Sequence, residues 1–134
     1  MTSDAPVQLV NRLFDAFTRR DAGALDDLIT LDMEFFGPTA DMVRGGAPYV
    51  GREGMREYLD DVARVWRELR VIPQSFRVEG DRVLATGRVY ARDHEGSIID
   101  SPAGWIFTVG EDRVLSGRVY ARAEDAVAAF DAGS

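Results

Sequence analysis

The apolar residues of this chain change their spacing near its middle, and that change leaves few folds open. From Pro6 to Thr18, the residues Val7, Leu9, Val10, Leu13, Phe14 and Phe17 recur at intervals of three and four, one face of an amphipathic helix. Asp4 is placed to cap it, with Pro6 in its first turn. Arg19-Arg20-Asp21 interrupts the pattern, and Asp21 can cap a short second helix carrying Ala24, Leu25, Leu28 and Ile29, which makes a helical hairpin. Leu31 to Phe36 reads as a short strand stopped by Gly37-Pro38. After Gly51-Arg52-Glu53-Gly54 comes a third helix whose apolar stripe is Met55, Tyr58, Leu59, Val62, Val65, Trp66 and Leu69. Beyond it the period falls to two.

The runs Arg70 to Glu79, Arg82 to Arg92, Ser97 to Val109 and Arg113 to Arg122 are strand-like, and the gaps between them are short enough for hairpins. An antiparallel meander follows from that spacing, and an alanine-rich helix from Ala123 to Ala132 closes the chain. The predicted class is therefore α+β, with N-terminal helices laid over a curved antiparallel sheet. One domain spans 1-134, with its core at about 6-131, since a chain this long buries roughly two thirds of its unfolded surface and has no room for a second core. A segment from Thr39 to Gly51, rich in glycine and polar residues, has no periodicity and reads either as a functional loop or as disorder. DRVLATGRVYAR (Asp81 to Arg92) and DRVLSGRVYAR (Asp112 to Arg122) repeat with one residue of difference, as two outgoing strands after tight turns.

Composition removes several chemistries. There is no cysteine, hence no disulfide, thiolate nucleophile or sulfur metal site, and a cytoplasmic location is expected. MTSDAPVQLV lacks the features of a signal peptide, and no stretch reaches the ~20 apolar residues of a membrane span. A net charge of -7 disfavours nucleic acid and anionic membrane as partners. All basic residues are arginine, which excludes a lysine Schiff base. The single histidine, His94, sits in the turn-like RDHEG as a solvated residue, so no histidine-cluster metal site is expected.

The order of elements, together with VQLVNRLFDAFTRRDAGALDDLI, APYVGREGMREYL, VEGDRVLATGRVYAR and WIFTVGEDRVLSGRVYARAEDAVAAF, resembles the nuclear transport factor 2-like superfamily, in particular its SnoaL-like and ketosteroid-isomerase-like members. That resemblance implies a cone-shaped sheet (a cystatin-like roll) enclosing a pocket, and homodimerisation through the sheet. It also implies the pocket wall: Thr86, Arg88 and Tyr90 from one strand, Ser101, Ala103, Trp105 and Phe107 from the next, and Gly117, Val119 and Ala121 from the last. Met33 and Phe35 join them from the first strand, with Leu13, Phe17, Met55, Tyr58 and Val62 from the helices.

The superfamily's known catalysts do not carry over. The carboxylate base, tyrosine and protonated acid of a ketosteroid isomerase fall at Gly37, Leu13 and Trp105. The arginine of a limonene-epoxide-hydrolase site is matched by Arg88, but its two aspartates become Tyr90 and Val119, and a polyketide cyclase's acid/base carboxylate falls near Trp105. What remains is Arg88, expected either to bind a carboxylate, enolate or carbonyl oxygen of a ligand, to pair internally with Glu34 or Asp41, or to reach solvent. Asp41 is the best remaining candidate base, and Asp100 has the parity opposite to Trp105. Two functions stay open. One is a cofactor-independent isomerase, cyclase or epoxide hydrolase acting on an apolar polyketide- or terpenoid-like molecule, with Arg88, Asp41 and Tyr90 as catalytic groups and Phe17, Phe35, Tyr58, Thr86, Ser101, Trp105, Phe107 and Val119 contacting the ligand. The other is a binding or dimerisation module without turnover.

Overall fold

The computed structural model describes residues 4–133. Helix α1 (Asp4–Thr18) buries Leu9, Val10, Leu13, Phe14 and Phe17. It already includes Asp4, the expected cap, whose side chain lies outside the described residues. Arg20, at φ 54°, turns the chain toward α2 (Ala22–Asp26), and the Asp21 side chain caps that helix by accepting a hydrogen bond from the Ala24 N–H at 3.1 Å. This second helix ends sooner than its apolar pattern suggests. Ile29 already belongs to β1 (Ile29–Phe36).

The stretch expected to be structureless holds α3 (Pro38–Arg44) and β2 (Tyr49–Val50). Pro38 opens α3 where a missing N–H costs nothing, and Gly45, left-handed at φ 63°, closes it. Helix α4 (Gly51–Val65) stops four residues short of its expected end. Trp66 and Leu69, placed on the helical stripe by spacing, instead begin β3 (Trp66–Glu79), because Trp66 pairs with Asp93 and Leu69 with Ala91 across the sheet. Here tertiary pairing overrides a local pattern that suits either period. The meander continues with β4 (Arg82–Asp93), β5 (Ile98–Val109) and β6 (Val114–Tyr120), and α5 (Ala123–Asp131) ends the described fold.

The six strands run in the order β2-β1-β6-β5-β4-β3. Every neighbouring pair is antiparallel except β1 and β6, which are parallel, so the sheet is mixed where the sequence suggested an antiparallel one. The cause is topological. β1 precedes the meander, and the last strand closes onto it in the same direction.

Two layers of apolar packing sit on the two faces. On the inner face, Val83, Ala85, Ala103, Trp105, Phe107, Val109 and Val114 meet α1, α2 and α4 in the main core. On the outer face, α5 covers one half of the sheet, packing Ala126 and Phe130 on Leu84 and Ile106. Register shifts at Pro73/Ser75 and at Thr108/Val109 bend the strands while keeping each face chemically uniform. At the first of these Gly87 is required, since a Cβ there would come within 2.0 Å of the Ile72 carbonyl oxygen. No helix among the described residues is long and apolar enough to cross a membrane.

Candidate functional site

Between the inner face and the helices lies a cavity in two compartments that share Tyr58, Val71 and Trp105 as walls. The inner one, about 40 Å³, is enclosed by residues such as Leu13 and Phe17 of α1, Met33 and Phe35 of β1, Met55 of α4, and Phe107 of β5. The outer one, about 140 Å³, reaches from the start of α3 (Gly37, Pro38, Thr39) to Trp66 and Leu69 of β3, Val89 and Ala91 of β4, Ile99, Ser101 and Ala103 of β5, and Val119 and Tyr120 at the end of β6. No charged side chain lines either compartment. Such a lining favours apolar ligands and leaves orientation to a few polar groups.

Those groups are held firmly. Tyr58 projects from α4 into a cluster of rings, with centroids 5.5 Å from Phe17, 4.9 Å from Phe35 and 5.1 Å from Tyr49. Trp105 receives the edge of Phe14 at 5.1 Å and 82°. Neither the Tyr58 hydroxyl nor the Trp105 indole N–H has a hydrogen-bond partner among the described residues, so both remain donors available to a ligand acceptor. Ser101 and Thr39 add hydroxyls to the outer compartment. Burial pushes the Tyr58 phenol up from its ordinary value of 10.0, with the Arg20 charge opposing the shift in part. The group is therefore a neutral hydroxyl that donates, not a base. Arg20 itself stacks at 4.3 Å over Phe17 and donates to the carbonyl oxygens of Phe17 at 2.6 Å and Leu69 at 3.0 Å, tying the end of α1 to β3.

The expected catalytic trio is not brought together. Arg88, Thr86 and Tyr90 were expected to face the pocket, but they lie on the outer face of β4, because the residues of β4 that meet the core are Val83, Ala85, Val89 and Ala91. Arg88 donates from Nε at 3.1 Å and Nη2 at 3.0 Å to Asp100 Oδ1, with its side chain 42% exposed. Its partner is thus Asp100, not Glu34 or Asp41. Tyr90 stacks under the Arg70 guanidinium at 4.8 Å, on the same outer surface. Asp41 is exposed in the first turn of α3 and is not among the cavity residues. Phe17, Phe35, Tyr58, Ser101, Trp105, Phe107 and Val119 do line the cavity.

Spacing on the sequence missed Trp66, Leu69, Val89 and Ala91 as wall residues. The signal for the last two was present in the repeat, where Gly87-Arg88-Val89-Tyr90-Ala91 matches Gly117-Arg118-Val119-Tyr120-Ala121. Placing Gly117, Val119 and Ala121 inward on β6 demands Gly87, Val89 and Ala91 inward on β4. No group of three or more His, Asp or Glu side chains able to hold a metal ion occurs among the described residues.

Residues 10–117 match the family described as SnoaL-like domain. The chain belongs to the SnoaL-like domain family. Its fold is shared by an NTF2-like protein of unknown function from Burkholderia pseudomallei K96243, 17% identical over 92% of this chain and 95% of that one, with a TM-score of 0.79. TerC, co-crystallised with polyporic acid, is 21% identical over 95% and 96% of the two chains, with a TM-score of 0.78. A hypothetical protein with a ketosteroid isomerase-like fold from Catenulispora acidiphila DSM 44928, in complex with trimethylamine, is 16% identical over 90% and 89%, with a TM-score of 0.73. At these identities the likeness of the SnoaL-like chain to each is one of fold. No curated protein matches it in sequence.

Proposed function

We propose that this SnoaL-like chain binds a small, uncharged, mostly apolar molecule bearing a carbonyl or similar acceptor, and does so without acid–base turnover. The observation that carries the reading is the cavity wall, which is apolar and uncharged and offers the Tyr58 hydroxyl and the Trp105 N–H as uncommitted donors. A hydrogen bond made inside an apolar cavity is stronger than the same contact in bulk water, so a ligand acceptor gains from meeting either donor there. General-base chemistry finds no support, since Arg88 and Asp41, proposed from the sequence as its machinery, stand outside the cavity. Two of the structural neighbours were crystallised with small molecules, which agrees in kind with this reading.

The test is calorimetric titration with acetophenone and with ethylbenzene, which lacks the carbonyl. Acetophenone is expected to bind more tightly, and Tyr58→Phe to weaken it by about three- to tenfold, the worth of one hydrogen bond, while leaving ethylbenzene unaffected. Equal loss for both compounds would remove the hydrogen-bonding role. Recovery of a chemically altered compound after incubation with a cell extract would favour an enzyme instead. The half of the outer sheet face that α5 leaves uncovered, where Ile72 is 44% exposed beside Arg88, is proposed as the surface of a homodimer, which analytical ultracentrifugation of Ile72→Asp checks by a shift to monomer.

A further inference from the structure

Beside the cavity, a second depression of about 370 Å³ follows the seam between α3, the end of α4 and the β4–β5 turn. Trp66 and Ile99 belong both to its wall and to that of the outer compartment, so the two spaces adjoin across these side chains. Most of its ionisable groups are already engaged. Asp93 Oδ1 accepts from the backbone N–H groups of Glu95 and Ser97 at 2.9 Å each, His94 Nε2 donates to the Ala63 carbonyl oxygen at 3.1 Å, and Arg64 is paired with Asp61. Glu95 adds a negative charge that disfavours an anionic ligand. The uncommitted surface is apolar: Met42 is 59% exposed and Ile99 46%, with Val65 and Trp66 beside them.

Size decides what belongs there. At about 140 Å³ the outer compartment is close to the cavity of about 150 Å³ that holds one benzene ring, and the inner compartment adds only about 40 Å³. A ligand larger than a single ring must leave the cavity, and the apolar way out crosses Trp66 and Ile99 onto Met42. We infer that the ligand is elongated, with a one-ring, acceptor-bearing head in the cavity and an uncharged, unbranched apolar chain laid in the groove against Met42 and Ile99. This rests on the cavity being the binding site.

Phenyl n-alkyl ketones from acetophenone to octanophenone, titrated calorimetrically into the whole chain, test it. Each methylene laid in the groove is expected to tighten binding by up to about fourfold. Met42 touches the groove and not the cavity, and its exposure makes Met42→Ser safe for folding. That variant should weaken octanophenone by about fivefold or more and leave acetophenone unchanged. Affinity independent of chain length, or a chain-length gain that survives Met42→Ser, overturns the elongated ligand while leaving the cavity reading intact. If no member of the series binds, the cavity reading falls and takes this inference with it.

Discussion

The two faces of β4 and β5 carry opposite chemistry on alternate residues of the same strands. Inward, Val89, Ala91, Ser101, Ala103 and Trp105 give a wall with no charge. Outward, Arg88 bonds Asp100, Arg70 covers Tyr90, and Arg92 approaches Glu68 at 3.7 Å. The charge-rich face looks more like an active site in sequence, yet most of its charged groups pair with one another, although Arg92 Nε is buried without a hydrogen-bond partner. The face with least apparent chemistry holds two donors, the Tyr58 hydroxyl and the Trp105 N–H, that no described protein group engages beside a cavity able to hold a ligand. In this fold the uncommitted group is the informative one, because a satisfied ion pair has little left to offer a ligand.

The largest effect expected from this contrast comes from the inner face. Trp105→Ala should lower stability by about 3–5 kcal/mol in urea denaturation, as removal of a fully packed indole does. A loss below about 1 kcal/mol would make the inner face no better packed than the outer. A smaller effect separates the faces by pH. Burial raises the Tyr58 phenol in the folded protein, so the folded state holds its proton more tightly than the unfolded one. The associated stability is complete below the unfolded pKa and is lost as pH rises above it. By pH 11 the loss due to Tyr58 should be on the order of 1 kcal/mol, and Tyr58→Phe should lack this share of the alkaline decline. Identical alkaline curves would mean that the hydroxyl is not buried in solution. The smallest effect belongs to the outer face, where Arg88→Ala should cost about 0–1 kcal/mol, the worth of an exposed ion pair, and leave acetophenone affinity unchanged in calorimetry. Loss of binding in that variant would return Arg88 to the site and reverse the comparison.

How far the site could be read in advance depended on which constraint fixed each residue. Leu13, Phe17, Met55 and Tyr58 were legible because an amphipathic helix has one apolar stripe, and that stripe must face the core. Ser101, Trp105 and Phe107 were legible because both aromatic residues of β5 fall on one parity, which Ser101 shares. Arg88 faces the side opposite to the one the catalytic resemblance implies, since a difference of one residue in parity turns every side chain of a strand to the other face. The repeat held the correction, with one complication. From Val83 to Gly87 is four residues, which keeps parity, whereas from Val114 to Gly117 is three, which reverses it. The register shift between Thr108 and Val109 places Leu115 as the extra residue of β6, so Val114 and Gly117 both face inward. The one-residue difference between the repeats is thus absorbed by the bulge.

By itself the sequence determined the class of fold, the helical stripe, the strand count of the meander and the apolar character of the pocket, because each follows from the spacing of residues close along the chain. Tertiary structure alone decided where α4 gives way to β3, that β1 runs parallel to β6, that the segment after Gly37 forms a helix at the cavity, and which donors are left without partners. Those outcomes depend on pairings between distant segments and on what each polar group finds nearby once the sheet has closed, and no local periodicity encodes either.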